Sequence, residues 1–101
     1  MDEQGLTRKE RIEAALQARF APQILRVIDD SARHAGHAGT KGAVGGETHF
    51  NVEMCSESFS GQSRVARARA VHEALAAELE SGLHALALVL RSPAEIDHTK
   101  V

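Results

Sequence analysis

Aromatic side chains are almost missing from this sequence. Tryptophan and tyrosine do not occur, and the aromatic set apart from histidine is Phe20, Phe50 and Phe59. A surface that stacks single-stranded nucleic acid needs several aromatic faces, so the chain is not built as one. Cysteine is limited to Cys55, which excludes an internal disulfide and suits a reducing compartment. No apolar run is long enough to span a bilayer. The opening Met1-Asp2-Glu3-Gln4 lacks the basic-then-apolar build of a secretory signal. These shortages lead us to expect a cytoplasmic protein without membrane contact. A positive excess is missing too: 12 Lys and Arg stand against 14 Asp and Glu, a formal net charge of −2. Affinity for DNA comes largely from phosphate neutralisation, so DNA binding here would need a local basic patch.

What is present is the balance of an ordinary globular domain, with 43% hydrophobic and 26% charged residues. A length of 101 residues suits one domain with one core. Thr7-Arg8-Lys9-Glu10 forms a capping box, in which Thr7 caps a backbone N–H and Glu10 reaches back to Thr7. Ile12, Leu16 and Phe20 follow at intervals of four, one helical stripe. Pro22 ends that helix near Phe20. Ile24 to Ile28 is aliphatic and β-branched, a strand. Five glycines between His34 and Gly46 erase all periodicity and predict a long flexible loop. Phe50, Val52 and Met54 then alternate with His49, Asn51, Glu53 and Cys55, a strand with one face in water. The glycine-rich link predicts that these two strands pair antiparallel.

A turn at Phe59 to Ser63 leads into a second long helix, with Ser63 as N-cap, a stripe of Val65, Ala68, Val71, Leu75 and Leu79, and Gly82 at the C-terminal cap. Leu83 to Leu90 is apolar on both faces, which predicts a strand covered on both sides or central in the sheet. A strand–helix–strand crossover makes this last strand parallel to the second. The predicted order is helix, strand, strand, helix, strand. The core runs from about residue 7 to 93, with residues 1–6 and 94–101 frayed and 34–46 flexible.

Enzyme motifs are missing. There is no G-x-S-x-G elbow, no P-loop lysine pattern and no G-x-G-x-x-G between strand and helix. The adjacent pair Asp29-Asp30 falls on opposite faces of a strand, a poor arrangement for acid–base work. The chain therefore reads as a binding protein. Six histidines, His34, His37, His49, His72, His84 and His98, form its most reactive set. His34 and His37 share the glycine loop, and His84 opens the last strand. Imidazole is the commonest metal ligand, but closed structural zinc needs four ligands and often thiolates, which His34-x-x-His37 does not supply. Arg64, Arg67 and Arg69 crowd the start of the second helix, while Glu73, Glu78 and Glu80 sit near its end. That opposes the helix macrodipole. It makes either a plain solvated face or a basic spot for an anionic partner.

Gly46-Glu47-Thr48-His49-Phe50, then Phe59-Ser60-Gly61, the arginine-rich helix start and Gly82-Leu83-His84-Ala85-Leu86-Ala87-Leu88 resemble the BolA family in that order. The loop His34-Ala35-Gly36-His37-Ala38-Gly39 fits the same family, and the resemblance extends from about Arg11 to Pro93. It implies an α+β fold similar to class II KH domains, with helices on one side of a three-stranded mixed sheet. It also implies a non-enzymatic adaptor that pairs with a monothiol glutaredoxin and shares a [2Fe–2S] cluster, with glutathione as a further ligand. His84 then supplies one imidazole and the loop supplies the other, through His34 or its neighbour His37. The alternative implied role is a DNA-binding transcriptional regulator that meets phosphates with Arg64, Arg67 and Arg69. The family's Arg-His-Arg reads Arg67-Ala68-Arg69 here, and the loop before Gly46 is longer than in many members. An exposed edge strand would permit a weak homodimer.

Overall fold

A capped helix opens the fold. In the computed structural model, which describes residues 6–30 and 48–99, α1 spans Arg8–Phe20. Thr7 Oγ1 accepts from the Glu10 amide at 3.1 Å, and the Glu10 carboxylate accepts from the Thr7 amide at 2.9 Å. Both halves of the capping box are thus closed. The helix stops at Ala21, whose left-handed φ of 44° turns the chain while its amide still reaches Gln17 O. Pro22 forbids a further helical turn.

The strands are β1 (Ile24–Asp29), β2 (His49–Cys55) and β3 (Ala85–Arg91), in the order β1-β2-β3. β1 and β2 pair antiparallel with Val27 opposite Val52. β2 and β3 pair parallel with Val52 opposite Leu88. The class II KH-like arrangement is therefore present: a mixed sheet of three strands with helices against one face. Between β2 and β3 run a 3₁₀ turn (Glu57–Phe59), α2 (Arg64–Ala74) and α3 (Ala76–Ser81), and α4 (Pro93–Thr99) follows β3. Gly61 adopts a φ of 77° in the turn before α2, and Ser63 caps α2 through the Ala66 amide at 3.1 Å. The core lies between the helices and one sheet face. It gathers Ile12, Leu16 and Phe20 from α1, Phe50, Val52 and Met54 from β2, and Phe59, Val71, Leu75 and Leu83 from the crossover.

Four expectations need correction. β3 is an edge strand, not a central one, and only one of its faces is covered: Leu86, Leu88 and Leu90 are half-buried, while Ala85, Ala87 and Val89 are exposed. The apolar run misled because alanine is small enough to face water at little cost. The second helix is two helices. Leu75 leaves helical geometry at φ −106° and ψ 19°, which separates α2 from α3. The stripe is also displaced. Val65 is 60% exposed, and the buried row is Arg67, Val71 and Leu75. The tail from Ala94, expected to fray, continues as α4. The glycine-rich segment and residues 1–5 lie outside the described residues.

Two buried arginines explain how the short helices are held. Arg8 precedes Ile12 on the inward stripe of α1 and reaches the end of α3. Its Nη1 donates to Glu78 O, Glu78 Oε1 and Ser81 Oγ at 3.0, 2.8 and 2.9 Å, and its Nη2 donates to Ser81 O at 3.2 Å. A cation here meets the unsatisfied carbonyls of a helix C-terminus. Arg11 adds Nε and Nη2 donors to the same Glu78 carboxylate. Gly82, at φ 138°, ends α3 beneath this guanidinium, and a Cβ there would lie 3.0 Å from Arg8 Nη2. The Glu78 side chain is 12% exposed. Glu78→Ala strands a buried guanidinium, so we expect a loss of about 3 kcal/mol in urea unfolding. Lys9→Ala on the exposed face of α1 should shift the midpoint very little.

Candidate functional site

Thr48 organises the end of the sheet where β2 begins and β3 enters. Its carbonyl accepts two amides, His84 N at 2.8 Å and Ala85 N at 3.0 Å. Its hydroxyl lies 2.8 Å from His49 Nδ1. His49 is the first residue of β2 and pairs in register with Ala85. The two imidazoles meet across the strands, with ring centres 6.5 Å apart and planes inclined by 60°. His84 is exposed and His49 half-buried. His84 is therefore held by its backbone but presents its ring to solvent. At the same end, the Asp30 amide donates to His49 O at 2.8 Å. The segment that carries His34 and His37 thus leaves and rejoins the sheet beside His84, but both histidines lie outside the described residues.

The described residues contain no group of three or more His, Cys, Asp or Glu side chains able to hold a metal ion. Cys55 cannot join His84. It is buried at the far end of β2, with Sγ 3.5 Å from Gln23 Oε1. Six strand steps from His49 put it about 20 Å away. A thiolate beside His84 could therefore not come from Cys55.

The three arginines do not act together. Arg64 and Arg69 are exposed on α2, but Arg67 is 7% exposed. Its Nε donates to Gln62 O at 3.0 Å and its Nη1 to Leu90 O at 3.1 Å. Nη1 and Nη2 grip Glu95 at 2.8 and 3.1 Å, and the guanidinium lies over the Phe59 ring. Arg67 is thus a structural tie between α2, β3 and α4, and the expectation that it meets phosphate is corrected. A guanidinium already satisfied by four protein acceptors has no reason to leave them. A groove of about 710 Å³ beside it is lined by Arg64, Val65, Ala68, Leu88 and Arg91 and holds neither His49 nor His84. The basic surface and the histidine pair are separate places.

Sequence reading missed Thr48, His49 and Glu95 as working residues. It could have flagged the buried arginines, since Arg8 and Arg67 each stand four residues before a core position, Ile12 and Val71.

Residues 16–95 match the model of the BolA-like protein family. The chain is 47% identical over 88 residues to SufE-like protein 1, chloroplastic/mitochondrial, of Arabidopsis thaliana, covering 85% of this chain and 24% of that protein. It is 42% identical over 80 residues to the DNA-binding transcriptional regulator BolA of Escherichia coli (strain K12), covering 79% and 70% of the two chains. The structure of BolA1 from Arabidopsis thaliana superimposes with a TM-score of 0.80 at 44% identity, over 89% of this chain and 96% of that one. The protein belongs to the BolA family. Among the described residues, no helix is long and apolar enough to cross a membrane.

The Arg67–Glu95 tie yields a pH signature. The Arg67 guanidinium, helped by the Ser92 amide, holds the Glu95 carboxyl down from 4.5 to about 2. A depressed acid adds stability that is complete above its unfolded value and is lost as pH falls through its folded one. Wild-type stability should therefore fall more steeply than that of Glu95→Gln between pH 4.5 and about 2. Chemical unfolding at stepped pH measures the difference.

Proposed function

We propose that this chain is a non-enzymatic adaptor that binds a monothiol glutaredoxin and shares a [2Fe–2S] cluster with it, in cluster assembly, trafficking or iron regulation. The observation that carries this reading is His84: an exposed imidazole whose backbone is fixed to Thr48 O at 2.8 Å, in a chain with no accessible thiol beside it. Within the BolA family frame, His84 supplies one ligand and the loop supplies another through His34 or His37. The glutaredoxin cysteine and glutathione supply sulfur. Imidazole in place of thiolate on one iron raises the cluster's potential, as in Rieske-type centres. The chain's own part is to hold His84 at a set angle, to bring the loop to the same sheet end, and to dock the partner. A cytoplasmic site belongs to the proposal, although the Arabidopsis relative's name places that protein in chloroplasts and mitochondria. Partner binding would replace any weak homodimer.

The test is anaerobic cluster reconstitution with a monothiol glutaredoxin and glutathione, read by visible circular dichroism and sizing. Wild type should give a heterodimer with a cluster spectrum distinct from that of glutaredoxin alone. His84→Ala should lose that spectrum while still folding. An unchanged spectrum in His84→Ala overturns the assignment of His84.

A second reading draws on the name of the Escherichia coli relative, a DNA-binding regulator, and on the exposed positions of Arg64 and Arg69. If this chain contacts DNA through them, Arg64→Ala with Arg69→Ala should reduce the slope of log affinity on log salt by about two. Arg67→Ala should instead lower the unfolding midpoint, because it empties the acceptors at Gln62, Leu90 and Glu95. A salt slope unchanged by the double substitution removes α2 from the contact.

A further inference from the structure

We propose that His49 and His84 form a divalent-cation site of zinc type within this one chain, positioned by Thr48 and independent of any glutaredoxin. The two rings come from different strands, yet a single residue sets both. Thr48 O fixes the backbone of His84 and Ala85, and Thr48 Oγ1 engages His49 Nδ1 at 2.8 Å. A metal-bound histidine characteristically donates its second ring N–H to a neighbouring oxygen, which fixes tautomer and orientation. In the tautomer that binds through Nε2, His49 Nδ1–H donates to Thr48 Oγ1, as the 2.8 Å separation allows.

The spacing suits chelation. Zinc–nitrogen bonds of about 2.0–2.1 Å put two coordinated ring centres about 5–6 Å apart. The observed separation is 6.5 Å, so a modest rotation of the exposed His84 side chain closes the remaining gap. The strands that carry the rings do not have to move, because His49 and Ala85 are already paired in register. Imidazole suits zinc, copper and nickel, and carboxylates would favour harder ions. Two protein ligands leave the other positions to water, so the ion is exchangeable rather than structural. It also occupies His84, and a bound ion of this kind competes with any other use of that imidazole.

The experiment uses the full chain with zinc chloride alone, followed by calorimetry and by the imidazole nitrogen shifts in two-bond ¹H–¹⁵N spectra. Wild type should take up one zinc, with shifts at His49 and His84 Nε2. His49→Gln and His84→Gln should each weaken binding at least tenfold, and Thr48→Val should weaken it about tenfold. The double variant His34→Ala/His37→Ala should bind as wild type does. Amide spectra of each variant report whether the fold is retained, and His49→Asn provides a second, smaller replacement if His49→Gln disturbs the strand. Unaltered zinc binding in a folded His49 variant overturns the proposal. So does loss of binding when only His34 and His37 are removed, or the absence of saturable binding by wild type. None of these readouts involves glutaredoxin, so the site and the adaptor reading stand or fall separately.

Discussion

Among the described residues the sheet is covered on one face only, and β2 is the strand paired on both sides. β1 lies antiparallel and β3 parallel to it. Phe50, Val52 and Met54 point from β2 into the core, which makes this strand both the middle of the hydrogen-bond ladder and the floor of the hydrophobic layer. The opposite face meets water with Asn51 and Glu53, and Arg26 on β1 reaches Glu53 at 3.2 Å. That face also shows Ile24, Ile28 and Val89. A one-sided sheet of three short strands is a thin structure, and it needs ties beyond apolar burial.

Those ties are two arginines. Arg8 binds α1 to the end of α3, and Arg67 binds α2 to β3 and α4. Each spends its donors on backbone carbonyls as well as on a carboxylate. Helices as short as α3 and α4 gain little from their own hydrogen bonds. A guanidinium that satisfies their ends or their side chains keeps them in place. The same economy removes Arg67 from the protein's outer surface and leaves the exposed basic charge of α2 to Arg64 and Arg69.

The histidine pair sits where β2 starts. The amino end of β2, the entry to β3 and both ends of the β1–β2 connection meet at Thr48, His49, Asp30 and His84. Parallel pairing of β2 with β3 is the topological cause, since it places both strand starts at one end of the sheet. The exposed imidazole of His84 lies there, remote from the buried Cys55. The groove by α2 lies toward the opposite end of β3 and serves a different surface.

Much of this was legible in the residues. The capping box, the stripe of Ile12, Leu16 and Phe20, the alternation in β2, the Ser63 and Gly82 caps and the order of elements are local patterns, and local sterics and periodicity decide them. The apolar letters of β3 could not reveal an edge position, because alanine fits either a covered or an open face. Nor could helical spacing show that the chain breaks at Leu75 or that Val65 points outward, since an arginine on the inward row reads as a solvent-facing residue. Arg8 and Arg67 lie inside because partners 70 and 28 residues away meet them there. His84 stood out by itself as a histidine at a strand start. That His49 is its neighbour was decided by the tertiary structure alone, because only the parallel register of β2 and β3 brings residues 35 apart in the chain to one point.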